Sequence, residues 1–417
     1  MPPDGGVDTP MDRLSYRTTY GSKPMTVALL AAMLIVHNAQ RTGLVPLFTD
    51  LQYRYGVDYV GVGTLFASYV LGYAIFQAIV GLIGDRFNAR SLLLTGLALS
   101  ALFSAAFAGM RTYDLALVAR FLLGATGAFL YTPAMKLGIT LFAHTERGRV
   151  MGILQSGAGV GAVGALILVP ICVAHFGMTG GLFTLPVFTL VILIVATIIL
   201  PDAPPQERTP PVAGTRTGIG WRPDFWQLLA ISFTGMLATY GLLTWLPTYL
   251  TQVFGYSTVR AGTFTAAANL ALLVAAPLVG MLADLPRGRA LVVLGGSALA
   301  FACYVILVPH EPIPVLFTLT ILVGVSLAAT TAPLMLFAGE RFAVSETARV
   351  VALMATVAQI GATLAGVVFG VLLAHSNRFQ TIWLACAILS LLRLVLLIPF
   401  FLHRRQRRHE HVSAPIR

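Results

Sequence analysis

Charge is scarce in this chain, and that scarcity decides its class. Of 417 residues, 10% are Asp, Glu, Lys or Arg and 57% are apolar, whereas about a quarter of an ordinary soluble domain is charged. A soluble globular protein is excluded. Cysteine is almost missing too. Cys172, Cys303 and Cys386 fall in apolar runs, odd in number and without metal-ligand spacing, so neither a disulfide framework nor a metal centre is expected and each reads as a small packing residue. Buried acids are missing as well: Asp114 and Asp224 stand at the ends of apolar runs, and no Asp or Glu lies well inside one. Without a buried acid, a nucleophile–base pair or a metal cluster, a membrane enzyme is not indicated and no cofactor is expected. The lack of any sizeable polar segment argues against a sensor.

What is present is a series of apolar runs of about twenty residues, the length that crosses a ~30 Å hydrocarbon core. Twelve spans start near Met25, Val60, Ser91, Tyr113, Arg149, Thr179, Phe225, Val259, Arg289, Ile313, Val350 and Phe379. They read as helices, because a backbone amide cannot stay unpaired in lipid and the runs are too long and unbroken for alternating barrel strands. The expected class is an all-α integral membrane protein seated in a lipid bilayer. Residues 1–24 are polar and lack the basic-then-apolar order of a cleaved signal, so the span from Met25 is expected to remain in the mature protein. The net charge of +11 is unevenly placed. Most of the 27 Lys and Arg residues fall in the tails and even-numbered loops, and the opposite side carries only Arg54, Arg111, Arg260 and Arg378. That asymmetry predicts cytoplasmic termini. The tail RRQRRHEH at 404–411 reads as a stop signal against anionic headgroups, and nucleic acid is not an expected partner.

A charged phrase occurs twice. GLIGDRFNAR at 81–90 returns as GMLADLPRGR at 280–289, placing Asp85 and Asp284 199 positions apart, and TERGRV at 145–150 answers SETARV at 345–350 at a spacing of 200. Two phrases at nearly one spacing indicate an internal duplication. Each copy holds six spans, 25–200 and 224–402, joined by the Pro-rich linker 201–223 and flanked by the tails 1–24 and 403–417, with the linker and tails expected on the cytoplasmic side.

These features together resemble the major facilitator superfamily. That family's loop between helices 2 and 3 has the pattern G-x-L-a-D-r-x-G-r-[RK], matched here by Gly81, Gly84, Asp85, Arg86 and Arg90, with departures at Asn88 and, in the second copy, at Leu285. The resemblance covers essentially the whole chain. It implies two pseudo-symmetric six-helix bundles that work by alternating access in the cytoplasmic (inner) membrane. The repeated phrase then reads as a conformational latch, in which carboxylates meet helix N-termini or arginines. Its candidates are Gly81, Asp85, Arg86, Arg90, Asp284 and Arg289, with Glu146, Arg149, Glu346 and Arg349 from the second phrase. The plainer reading is loop chemistry and a topology signal.

Basic residues inside a span cost roughly 2.5 to 3.5 kcal/mol each at the membrane centre, and four occur: Arg41, Arg120, Lys136 and Arg393. An arginine buried without an acid needs another partner, and an anionic substrate is the simplest. Arg41 lies in HNAQRTGLVP of the first span, with His37 one turn earlier on the same face, and its fork suits a carboxylate or phosphate. Its plain alternative is snorkelling or pairing with carbonyls. Arg120 either faces a cavity or supports packing. Lys136 and Arg393 lie near inner ends, where snorkelling is the expectation. Other candidate contacts are Tyr73 and Gln77, on one face of the second span with Tyr69, then Tyr131, Tyr240, Thr244, Asn269 and Gln359. The two amides read equally well as interhelical glue. Trp245 and Tyr249 read as an aromatic belt near the outer interface. GVGAVG at 159–164 spells a dinucleotide fingerprint but has no preceding strand, so it reads as close helix packing.

Within the superfamily, QRTGLVP, GTLFASYVLGYAIFQAIVGLIGDRFNAR and TWLPTYL resemble the anion:cation symporter branch. This implies organic anion transport, with Arg41 as the main anion-binding residue. Two departures bear on coupling: Gln40 stands where the branch commonly has Asp, and Gly127 where it has Glu. A coupling proton, an exchanged anion and uniport all stay open. The alternatives are an organophosphate/phosphate-type exchanger and a proton-coupled efflux transporter, the latter weakened by Ala162, which replaces the proline of the exporter element. A monomer is expected.

Overall fold

The computed structural model describes residues 23–142, 145–200, 222–285, 288–309, 312–342 and 344–412, with backbone alone at 82, 85, 340, 344, 345, 348 and 399–412. Every regular element described is helical: α1 (Lys23–Thr42), α2 (Phe48–Tyr55), α3 (Tyr59–Ile83), α4 (Ala89–Gly109), α5 (Tyr113–Thr140), α6 (Arg147–Ile199), α7 (Pro223–Phe254), α8 (Thr258–Asp284), α9 (Gly288–Leu307), α10 (Ile313–Thr330), α11 (Ala332–Arg341), α12 (Val344–Ser376) and α13 (Gln380–Val412). Ten of the helices are long and apolar enough to cross a membrane. At 53 residues α6 would run to about 80 Å at 1.5 Å per residue, more than twice a bilayer core. It is broken at Gly177, whose φ of 71° and ψ of 172° are not helical, so the chain folds back there.

Local signals set the ends of the elements, and the two copies set them alike. Gly56 closes α2 and Gly255 closes α7, both left-handed at φ 62° and 68°, a conformation that glycine adopts without a Cβ penalty. Two residues later Asp58 caps α3 by accepting from the Gly61 amide at 3.0 Å, and Ser257 caps α8 by accepting from the Arg260 amide at 3.3 Å. Asn88, the departure from the family glycine, caps α4 through the Arg90 amide at 2.9 Å.

Ion pairs within each copy tie helix ends together. Lys23 meets Glu146 at 3.2 Å, Arg222 meets Glu346 at 3.8 Å and Arg341 meets Asp224 at 3.4 Å. The Lys23–Glu146 pair is exposed on both sides, and pairs of that kind stabilise by at most about 1 kcal/mol. The two copies meet at the opposite end, along α3 with α12 and α6 with α8. Side-chain hydrogen bonds join them there. Thr49 and Thr251 hydroxyls lie 3.1 Å apart, the Tyr59 hydroxyl donates to Gln252 Oε1 at 2.7 Å, Gln252 Nε2 donates to Gln52 at 3.3 Å, and the Thr258 hydroxyl donates to Asp50 at 3.2 Å. Trp245 is fully buried in this seam against Phe48 and Tyr59, and Tyr249 is buried beside Trp383. The aromatic-belt expectation for both is therefore corrected: they are core residues, because neighbouring helices cover the depth at which a belt would face lipid.

The tails 1–22 and 413–417 and the linker residues 201–221 lie outside the described residues, as does the Asp85 side chain. Of the other latch candidates, Gly81, Arg86, Arg149, Asp284 and Arg349 are exposed. Arg90 donates to the Thr197 carbonyl at 3.0 Å, tying α4 to α6 within one copy, and Arg289 is half-buried in the first turn of α9.

Candidate functional site

Arg41 and His37 stand one turn apart on α1, and both are buried, at 8% and 2% exposure. The polar and aromatic groups around them come from both copies. The Arg41 guanidinium lies over the Tyr240 ring of α7, 4.8 Å from its centroid, a cation–π contact between the halves. Its Nε and Nη2 atoms are buried without a hydrogen-bond partner. The His37 ring packs on Tyr73 at 4.8 Å and near Tyr131 at 6.2 Å. The Tyr69 hydroxyl donates to the His37 carbonyl at 3.0 Å and lies 3.2 Å from Nδ1. One turn beyond Tyr240, the Thr244 hydroxyl is buried and unpartnered. The result is a cationic spot walled by tyrosines, with free donors on the guanidinium and no carboxylate within 4 Å among the described residues.

The two departures from the symporter pattern acquire physical reasons. A Cβ on Gly127 would run into His37 Nδ1, so the histidine occupies the room that a larger residue would need. The Gln40 side chain turns away from Arg41 into the first copy. Its Nε2 donates to the Thr189 hydroxyl at 3.0 Å, and its Oε1 accepts from Ser100 at 2.6 Å. Ser100 and Thr189 were not legible as partners, since only the packing of α4 and α6 on α1 brings them there.

Arg120 also turns inward. It is 2% exposed, donates to the Gln40 carbonyl at 2.9 Å and lies over the Tyr69 and Phe107 rings. The residue ties α5 to α1 at the Gln40 carbonyl and shares Tyr69 with the Arg41 group. Tyr131 donates to Gln155 at 3.4 Å. Gln77, Lys136, Asn269 and Gln359 are half-buried. Snorkelling does not describe Arg393, which is 6% exposed and enclosed in the second copy.

Duplicated helical bundles that meet along a seam, with a buried cation between them, define a membrane transporter. The chain belongs to the Major Facilitator Superfamily, whose model matches residues 30–365 and 261–415; this is a family of transporters, not of enzymes. The probable nitrate/nitrite transporter NarK2 of Mycobacterium tuberculosis is 31% identical over 291 residues, covering 66% of this chain and 71% of that protein. The chloroplastic ascorbate transporter of Arabidopsis thaliana is 25% identical over 285 residues, or 64% of this chain and 52% of that protein. Among solved structures, a bacterial homolog of the human lysosomal transporter Spinster, inward-facing and occupied, superposes with a TM-score of 0.75 at 15% identity, covering 92% of this chain and 98% of that one. The nucleoside transporter NupG superposes at 0.74 and 13% identity, covering 90% and all of that chain. Both likenesses concern the fold.

Proposed function

We propose that this protein is a secondary active transporter for a small anion with a planar oxyanion head, foremost the carboxylate of an organic acid. The observation that carries the reading is Arg41, a buried guanidinium with two free nitrogens and no acid beside it, stacked on a tyrosine of the opposite copy. An anion there supplies the missing counter-charge and bridges the halves, which links binding to their rocking. Twelve spans follow when α6 counts as two and α1 joins the ten long helices. In the inner membrane, with cytoplasmic termini, the end joined through Gln52 and Gln252 is the outer one and the structure faces inward. A second reading, nitrate or nitrite, is favoured by the relative named for those ions, because their oxygens present the same planar geometry to the fork.

Uptake by proteoliposomes tests this against a panel of labelled organic acids, nitrate and sugar phosphates. Arg41→Ala is expected to abolish uptake of the preferred anion while the protein still elutes as a single species on size-exclusion chromatography. Well-folded Arg41→Ala that transports like the unmutated protein refutes the reading.

A further inference from the structure

Arg393 belongs to none of the machinery described so far. It sits on α13 yet reaches across to α7 and to the junction of α10 with α11. That junction is a break. Thr331, at φ −92° and ψ −78°, separates the two helices, and Pro333 follows it. Arg393 Nη2 donates to the carbonyl of Thr330, the last residue of α10, at 3.2 Å, where a helix end carries partial negative charge. Capping the break is one role, and it engages one nitrogen of the fork.

The rest of the guanidinium serves no such end. Nε is buried without a partner. Space has been left for the group on the facing helix, since a Cβ on Gly235 would stand 2.5 Å from Nη1. The guanidinium fills that space and also lines an adjoining cavity of about 40 Å³, shared with Ser232, Thr330 and Thr331 and otherwise walled by apolar side chains such as Leu327, Leu334 and Met354, with no acid among the described residues. The three hydroxyls donate to carbonyls of their own helices, those of Leu228, Ser326 and Leu327, so the donor aimed into the cavity is the guanidinium. A void of this size with a cationic donor in its wall has room for a few non-hydrogen atoms. The first copy lacks an equivalent: 200 positions earlier stands Leu193.

We propose that the Arg393 cavity is a second anion-binding site, specific for an inorganic monoanion of up to about four heavy atoms, such as chloride, nitrite or nitrate. Gly235 precedes Tyr240 by five residues on α7, or about 7.5 Å along the axis, so this site lies beside the anion path and is built by the second copy. It goes beyond the Arg41 reading and does not require it.

The test is thermal unfolding of the purified full-length protein, titrated with sodium nitrate against sodium gluconate at constant ionic strength, gluconate being too large for the cavity. Arg41→Gln protein is expected to keep a saturable nitrate stabilisation, because a ligand of the native state raises the midpoint. Adding Arg393→Gln should weaken that response at least tenfold, while adding Arg393→Lys should leave part of it. Should Arg393→Gln not yield a monodisperse protein, Gly235→Ala in the Arg41→Gln background takes its place, since the new methyl displaces Nη1. Arg41→Gln protein without a nitrate response overturns the proposal, as does a response that either second substitution leaves unchanged. Failure of the Arg41 reading shows separately, as wild-type uptake by the Arg41→Ala protein.

Discussion

Gly63 of α3 and Gly366 of α12 lie back to back, and a Cβ on either would collide with the carbonyl oxygen of the other. The same thing happens on the far side of the seam. A Cβ on Gly262 of α8 would strike the Leu166 carbonyl of α6. Gly262 follows Gly63 by 199 positions, and Gly366 follows Leu166 by 200, so the duplicated sequence makes one contact twice. Small residues let helices approach this closely. An arrangement opened at this end would lose the contact, so Gly63→Ala is expected to destabilise the closed arrangement selectively. Labels placed by Tyr53→Cys and Val253→Cys, in a Cys172→Ser background, would report it by pulsed electron resonance as a longer mean distance. An unchanged distance distribution counts against the seam as the closing element.

Stability should respond at Gln40 more than at the neighbouring Arg41. Its amide joins α4 to α6 through Ser100 and Thr189, and truncation to alanine leaves a buried hydroxyl without its acceptor. Such losses run to about 1 to 3 kcal/mol. Gln40→Ala should lower the thermal midpoint in detergent by several degrees, and Arg41→Ala, which removes an under-satisfied group, by less. The reverse order would show that Arg41 is the structural residue.

These residues mark where sequence reading reaches its limit. The apolar runs, the doubled phrase and the position of Arg41 are local patterns, and the duplication is visible because spacing survives even where residues change. The snorkelling expectation for Arg393 fails because depth along a helix does not decide whether an arginine snorkels. What decides it is a gap on α7, at Gly235, far away in sequence. Trp245 and Tyr249 fail in the same way, since a belt rule knows depth but not neighbours. In the sequence Gly127 and Gln40 register only as missing acids, and their reasons lie in contacts made by other helices.

The guanidinium fork of Arg41 should matter beyond its charge. Arg41→Lys keeps the cation but loses the planar pair of donors and the flat stack on Tyr240. Binding of the preferred anion is expected to weaken by about 1 to 3 kcal/mol, the scale of a hydrogen bond to a charged group. Isothermal titration measures it, and an unaltered affinity would mean that charge suffices.

Asp50 gives the closed end a pH dependence. It lies on α2, outside the long apolar helices, in a cleft of about 930 Å³ that Arg54 and Arg111 also line. Burial raises its carboxyl above the ordinary value, and the hydroxyl of Thr258 from the other copy only partly offsets this. Opening the seam would expose Asp50 to water and return it to about 3.9, so the closed arrangement holds the proton more tightly than the open one. The sign follows by linkage. Closure is most favoured at pH values below the ordinary carboxylate range, and this preference is lost as pH rises through the raised value of the closed state. The distance between the labels at Tyr53→Cys and Val253→Cys should therefore shorten on acidification. Asp50→Asn should remove most of that pH response and hold the seam closed throughout; a response that survives intact in Asp50→Asn would assign the proton to another group.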